Sequence, residues 1–365
     1  MKFEIEKEKL LLGINATLKA VASKTTMPIL ECFLIEAKNN LLTITATDLD
    51  LGIEYSMDAN IVEEGRVTID AKMFSEIIRK LPESIITISI NEQKLLTIEC
   101  EGSLFKLVTV DSSEFPALPN INIEQSIEIK QNVLKEMIRK TIFAVGVDEN
   151  RPVFTGCLIE LKDNILNMVA LDGFRLAMQS KVFVGNTNTF KAIIPGRTLN
   201  EISKILQDDE ETIKIGISRN QGLFQMPNCK AVTRILEGEF LDYNNVIPKE
   251  KELRVIVDKN TLINSLERAA VMSKEDRQFP IKITINDKIM VIACVVQSGD
   301  VREELLVESV GKNIEIGFNP KYLIEAIKAV SEEQIILDFG TSISPCVIRP
   351  IDGTEFTYMV LPVRI

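Results

Sequence analysis

Three stretches of the chain carry one pattern of apolar and polar positions. They are GRVTIDAKMFSEIIRKLP (65–82), FKAIIPGRTLNEISKILQ (190–207) and IEIGFNPKYLIEAIKAVS (314–331). Each opens with a short β-branched run, breaks, and continues with apolar residues three and four apart. That spacing predicts a strand followed by an amphipathic helix. The breaks Asp70-Ala71, Pro195-Gly196 and Asn319-Pro320 suit helix N-termini, where Asp and Asn cap and Pro fits the first turn. Phe74, Leu199 and Leu323 correspond, 125 and 124 residues apart.

The period recurs elsewhere. KLLLGINATLKAVAS, QNVLKEMIRKTIFAV and KNTLINSLERAAVMS predict a second set of helices near 9–23, 131–145 and 259–273. LLTITATDLDLGIEY (41–55) matches ILNMVALDGFRLAMQ (165–179), setting Asp48 against Asp172, and Cys32 and Cys157 fall on matching strands. A third copy, IMVIACVVQSGDVRE, keeps the strands and loses the Asp-Gly turn. A repeat this long is domain-sized, so the chain reads as three similar α+β domains with mostly antiparallel sheets. Pro and charge interrupt the pattern after FPALPN (115–120) and near VIPKEKE (246–252). The expected domains are 1–120, 121–248 and 249–365.

Composition narrows the chemistry. The 365 residues are 45% hydrophobic and 26% charged, as in a globular chain. Histidine is absent, which removes the commonest general base and metal ligand. No GxxxxGK[ST], GxGxxG or HExxH motif occurs. No cofactor and no metal are expected. The six cysteines form no CxxC pair and sit among apolar neighbours, as buried reduced thiols do. The N-terminus is charged from its second residue and has no signal-peptide core, and no apolar run reaches membrane-spanning length. A cytoplasmic protein is expected. Asp48 and Asp172, at matching turns, leave open a carboxylate enzyme or small-molecule binder; a triplicated adaptor is the other alternative.

Charge on the repeated helices points elsewhere. Lys72, Arg197 and Lys321 share one position, and Arg79, Lys204 and Lys328 share another seven residues on. Seven residues is nearly two turns, so each pair lies on one face, opposite the apolar one. Asp and Glu outnumber Lys and Arg 53 to 42, so three matching cationic pairs suggest a shared anionic ligand over a merely solvated face. Lys19, Lys24, Arg139, Lys140 and Arg268 add charge less regularly. With aromatics at 5%, phosphate contact fits better than base stacking.

From MKFEIEKE through MPIL (27–30), TATDLDLGI (45–53) and LDGFRLA (171–177) to YMVLPVRI, the whole chain resembles the bacterial sliding clamps, the β subunits of the replicative DNA polymerase. The resemblance implies a non-catalytic DNA-clamp fold, with antiparallel sheets outside and helices lining a ring. It implies a head-to-tail homodimer around double-stranded DNA, held without sequence preference, in the cytoplasm at the nucleoid and replisome. The basic pairs, with Lys24, Arg139, Lys140 and Arg151, would face DNA. Phe105 and Leu107 would meet Val271 and Met272 across the dimer interface; read as residues alone, ordinary core is the alternative.

The family's partners are the polymerase, the clamp loader, other polymerases and repair proteins. They dock through a short peptide with a glutamine and following hydrophobic residues. Carried over, its pocket here is Phe154, Leu171, Gly173, Phe174, Arg175 and Leu176, with Leu241, Asn245 and Val246 near the linker. Asn319, Tyr322, Ile343 and Pro345 come from the third domain, and Val360, Leu361, Pro362, Val363 and Arg364 from the C-terminal segment. Asp-Gly in LDGFRLA is also a hairpin signal, which is compatible with presenting Arg175. Phe174, Leu241, Asn245, Leu361 and Val363 depart from the family's usual residues; with fewer methionines, a stiffer pocket is expected. In TEFTYMVLPVRI, residues 357–360 are expected to complete a sheet and 361–365 to line the pocket, with no tail to cover it.

Overall fold

The computed structural model describes residues 1–91, 93–148, 150–183, 189–273 and 280–365. The chain forms two compact units, one from 1–131 and 204–235 and the other from 132–203 and 236–365. All strand pairings are antiparallel, and three α+β copies run in tandem.

The first unit holds two sheets. One runs Asn60–Glu63, Lys2–Glu6, Ile85–Ile90, Leu95–Cys100, Ser103–Val108. The other has eight strands, from Gln125–Lys130 through Thr212–Ser218, Gln221–Gln225, Cys229–Arg234, Leu51–Asp58, Leu41–Thr47 and Cys32–Lys38 to Gly65–Asp70. Helix α1 (Lys7–Thr17) and helix α2 (Ala71–Lys80) lie in this unit. Helix α2 forms as its sequence dictates. The Asp70 carboxylate accepts from the Met73 backbone N–H at 2.7 Å, Phe74 and Ile78 are buried, and Arg79 and Lys80 sit in the last turn, where the helix dipole favours cations. Pro82 then ends it by forcing Leu81 out of the helical region.

The second unit holds a nine-stranded sheet: Phe190–Pro195, Gly156–Lys162, Ile165–Leu171, Arg175–Val182, Phe356–Val360, Cys346–Pro350, Gln334–Phe339, Leu253–Asp258, Glu308–Gly311. Its four-stranded sheet runs Gly299–Leu306, Ile289–Val296, Ile281–Asn286, Ile314–Phe318. Helix α3 (Gln131–Arg139) starts at the unit boundary; α4 (Gly196–Ser203), α5 (Tyr243–Val246), α6 (Lys259–Ser273) and α7 (Pro320–Ala329) follow. In α7 the Asn319 side chain accepts from the Lys321 N–H at 3.0 Å, and Pro320 takes the first turn.

Three expected helices are shorter than their apolar period suggests. α1 stops at Thr17, and a 3₁₀ turn at Leu18–Ala20 follows it in place of the helix expected to 23. α3 stops at Arg139, and a 3₁₀ turn at Ile142–Ala144 replaces its last turn. α4 ends at Ser203, which leaves Lys204 in the following turn. All six cysteines are buried free thiols; burial pushes Cys32 up to about 11 and Cys157 and Cys229 up to about 12. No helix among the described residues is long and apolar enough to cross a membrane.

Each unit contains a joint where the last strand of one repeat pairs with the hairpin of the repeat before or after it. Cys229–Arg234 pairs with Leu51–Asp58, and Phe356–Val360 pairs with Arg175–Val182. At the second joint the Tyr358 hydroxyl is buried with no hydrogen-bond partner among the described residues, and the Tyr358 ring packs against those of Phe143 (5.3 Å between centres) and Phe356 (4.9 Å). Burying an unpaired hydroxyl costs about 1–3 kcal/mol. Tyr358→Phe is therefore expected to stabilise the protein by about 1 kcal/mol, read as a higher urea midpoint at unchanged slope; a lower midpoint would mean the hydroxyl is bonded after all.

Candidate docking site and basic helices

The turn Asp172–Arg175 organises the candidate pocket. One Asp172 carboxylate oxygen accepts from the backbone N–H groups of Phe174 (2.9 Å) and Arg175 (3.0 Å), and Gly173 takes φ +92, which favours glycine. Asp48 does the same in its own repeat, accepting from Asp50 at 3.1 Å and Leu51 at 2.9 Å. Both aspartates therefore build turns, so the carboxylate-enzyme alternative loses its residues. Among the described residues no group of three or more acids and cysteines is placed to hold a metal.

Arg175 is buried beneath this turn. Its Nε donates to the other Asp172 oxygen at 3.0 Å, and its Nη1 donates to Glu325 on α7. The guanidinium lies 4.7 Å from the ring centre of Tyr322 and 5.5 Å from that of Phe143. Phe174 stacks on Tyr322 at 6.0 Å and stays 56% exposed. Burial, then the Asp172 charge, raises the Tyr322 pKa, so that hydroxyl stays protonated at neutral pH. The C-terminal segment is fastened on both sides: Leu361 N–H donates to the Phe174 carbonyl (2.8 Å) and Val363 N–H to that of Gly317 (2.9 Å).

The expected pocket residues thus separate into layers. Phe174, Tyr322, Leu361, Pro362, Val363 and Arg364 are at the surface or half-buried beside the turn. Leu171, Leu176 and Val360 are buried; the two leucines belong to a core with Leu158, Ile193, Tyr243 and Met359, against which Phe154 packs. All three present almost no exposed surface, the leucines because that core packs over them. Asn319 spends an oxygen on its cap. Leu241 lines a neighbouring cleft of about 550 Å³ with Leu158, Glu160 and Tyr243; Asn245 and Val246 are exposed on α5. Ile343 is 85% exposed on the turn 340–345, and Pro345 is half-buried. Sequence reasoning missed Glu325 and Phe143. Glu325 was within reach, since it follows Tyr322 by three residues and so shares its helix face.

Of the cations expected at a DNA surface, Lys24, Lys72, Arg79, Arg139, Arg151, Arg197, Lys204, Lys321 and Lys328 are exposed. Lys140 is a correction. It is 3% exposed and its ammonium pairs with Glu136 at 2.8 Å, because α3 has already ended and the chain turns inward. Burial would raise the Glu136 pKa, but the hydrogen bond from Lys140 and the charge of Lys181 bring it below the usual range. Lys328 is in an exposed pair with Glu267 of α6 at 2.6 Å. Arg151 lies with its Nη1 3.8 Å from where a Gly173 Cβ would stand; Glu149, in the same loop, lies outside the described residues.

At the expected interface positions, Phe105 is 38% and Val271 62% exposed, while Leu107 and Met272 are half-buried. Phe105 and Leu107 are on Ser103–Val108, the terminal strand of the five-stranded sheet; Met272 reaches 3.3 Å from the Cβ position of Gly299, on the terminal strand of the four-stranded sheet.

Three α+β copies joined edge to edge, with exposed basic helix faces, define a triplicated scaffold whose role is binding and assembly. Family models confirm this and sharpen it. The N-terminal, central and C-terminal domains of the DNA polymerase III beta subunit match residues 1–119, 128–242 and 244–364. The chain is 34% identical to the beta sliding clamp of Halalkalibacterium halodurans over 378 aligned residues, covering 100% of each. It is similar to the structure of a putative DNA polymerase III beta subunit from Eubacterium rectale (36% identity, 100% of each chain, TM-score 0.95). It is also similar to the DNA polymerase sliding clamp of Bacillus subtilis (31% identity, 100% of this chain and 99% of that one, TM-score 0.96). The chain belongs to the DNA polymerase III beta subunit family, the beta sliding clamps. It is a non-catalytic processivity subunit, and DNA and polymerase are the partners its family implies.

Arg175 carries the largest test of the site. Removing it leaves Asp172 and Glu325, both half-buried, without their cation; breaking a fully buried pair costs about 3–5 kcal/mol, and water reaching the two carboxylates lowers this to about 2–3 kcal/mol. Arg175→Ala is expected to fall in that range by chemical denaturation, and Arg175→Lys to recover less than half, because an ammonium cannot make the forked contacts or stack. Full recovery by lysine would show that charge alone matters.

Proposed function

We propose that two copies of this chain close head to tail into a ring around duplex DNA, and that partners dock by short peptides at the Phe174–Tyr322 site. The division 1–120, 121–248 and 249–365 is kept as the domain plan of that ring, and replicating DNA as its place in the cell.

The observation that carries the ring is a ladder with one joint missing. Phe3, Ile127 and Val255 each stand four residues before the first helix of their repeat. From Ile127 the cross-strand ladder runs Ile215, Phe224, Ala231 and then, across the joint, Ile53. From Val255 it runs Leu337, Ile348, Tyr358 and then Ala177. Ile53 and Ala177 are 124 residues apart, and 124 further is Val301. From Phe3 the ladder runs Ile88, Ile98, Phe105 and stops at an edge. The strand bearing Val301 is an edge as well. The repeat thus sets Phe105 of one copy opposite Val301 of the next and Lys106 opposite Asp300. Phe105 and Leu107 then share the face of Met272, with Lys106 and Asp300 on the other face; opposite-charge and apolar cross-strand pairs each add about 0.2–1 kcal/mol.

This register is tested by oxidising a Lys106→Cys, Asp300→Cys variant, whose native thiols are all buried. A covalent dimer is expected, and none from Lys106→Cys with Arg302→Cys. A dimer by light scattering without the first cross-link would refute the register, and a monomer at micromolar concentration would refute the ring.

A ring suits the family's processivity role. Non-specific DNA binding has a Kd of roughly 10⁻⁴–10⁻⁶ M at physiological salt, and with association near ~10⁸ M⁻¹s⁻¹ such contacts last on the order of milliseconds or less. Closure separates residence time from attraction, so Lys72, Arg79, Arg197, Lys204, Lys321 and Lys328, with Lys24 and Arg139, can contact phosphates weakly and still allow sliding. Protein loaded on circular DNA is expected to stay through gel filtration and to be lost once the circle is cut. Retention on the linear product would contradict topological holding.

A further inference from the structure

We propose that Lys251, Arg254 and Arg349 form a binding site for a phosphate monoester on one face of the nine-stranded sheet, held in shape by the buried carboxylate of Asp338. The site is independent of the ring and docking readings.

Asp338 lies on Gln334–Phe339, opposite Arg254 of Leu253–Asp258, and is 7% exposed. Arg254 satisfies both of its oxygens: Nε donates to Oδ1 at 2.7 Å and Nη2 to Oδ2 at 2.8 Å. That fork alone completes the pair. Two further cations stand beside it. Lys251 Nζ is 3.8 Å from Oδ1, and Arg349 Nε is 3.7 Å from Oδ2. Arg349 pairs with Ile336, one rung along the same face, and so reaches Asp338 on the diagonal. Both distances are too long for hydrogen bonds, so Lys251 and Arg349 keep their donors. Among the described residues neither has another ion pair. Lys251 is exposed and the two arginines are half-buried, which leaves all three within reach of a ligand.

Three cations thus share one carboxylate, an excess of two positive charges in a chain of net charge −11. The flanking acids do not cancel it. Glu252 is held by Lys312 at 3.0 Å, and the exposed Glu250 pairs with none of the three among the described residues. A phosphate monoester carries about −1.5 to −2 at neutral pH and three acceptor oxygens, one for each cation. A carboxylate, with one charge and two oxygens, leaves a cation unmatched. Arg254 still has Nη1 to offer, beside the Lys251 ammonium and the Arg349 fork. The rung Leu176, Met359, Val347, Asp338 sets the site three strand steps, about 14 Å, from the strand that follows the Asp172–Arg175 turn. A bound phosphate and a docked peptide therefore use different side chains.

The test uses the full chain with phenyl phosphate and benzoate, which share a ring and differ in the anion, by isothermal titration at fixed ionic strength. Phenyl phosphate is expected to bind roughly tenfold more tightly at about pH 7.5. The chain has no histidine, so a fall in affinity towards about pH 5.5 reports the phosphate gaining its own proton, near a pKa of about 6. Lys251→Gln and Arg349→Gln are each expected to weaken phenyl phosphate roughly fivefold at an unchanged urea midpoint, and Lys312→Gln to leave it as it was. Inorganic phosphate and adenosine monophosphate separate the sources: equal affinity assigns the site to free phosphate, and tighter monophosphate to phosphate carried on a nucleoside. Equal binding of phenyl phosphate and benzoate, or binding of neither, would overturn the proposal. So would an affinity that survives Lys251→Gln or Arg349→Gln, or a loss that Lys312→Gln shares.

Discussion

Main-chain pairing at strand edges is the constraint on which the rest of this structure depends. A strand edge exposes a row of unpaired N–H and C=O groups, and a chain built of four open sheets has many. This protein satisfies them by fusing repeats. The strand Cys229–Arg234 continues a sheet begun by Leu51–Asp58, and Phe356–Val360 continues one begun by Arg175–Val182. The domain seams are therefore made of the same hydrogen bonds as the domains. Slipping a seam would break a ladder and turn every side chain to the wrong face.

The candidate docking site sits at the second of these seams for a physical reason. Where Arg175 pairs with Val360, the chain after Val360 must leave the sheet, and it is caught by the Phe174 and Gly317 carbonyls. A short apolar segment is then held at the surface between an aromatic pair and a buried cation. Arg175 makes this rigid: one side chain joins the turn through Asp172, α7 through Glu325, and two rings through stacking. Arginine is the residue that can do all of these at once.

Much of this was legible along the chain, and what was not shares one cause. The caps at Asp70 and Asn319, the Asp172-Gly173 turn and the strand periods are local, and local chemistry decided them. The repeat made the triplication readable without any contact being known. The burial of Arg175 was not readable, because it depends on Glu325, 150 residues away. Nor was the burial of Lys140, which the resemblance placed with the cations facing DNA: α3 stops at Arg139 and Glu136 draws it inward. Leu171, Leu176 and Val360 looked like pocket wall because apolar positions near a turn look alike in sequence whether they line a cleft or lie beneath it.

The proposed third joint has a problem that the two internal joints do not. Those are fixed by chain connectivity, whereas an edge left open for a second copy is also open to the wrong partner and the wrong register. The residues on the two edges answer this. A shift of one residue turns Phe105 and Leu107 away from the face of Met272 and into water. A shift of two in one direction sets Lys106 against Arg302, and like charges directly opposite are destabilising. Only the register inherited from the repeat sets Lys106 against Asp300 and Phe105 against Val301 together. A head-to-tail contact that closes must also avoid growing into an open filament, which depends on one rotation per copy being kept. A ladder with a single admissible register helps to hold that rotation, so the charges on these edges would serve closure more than raw affinity.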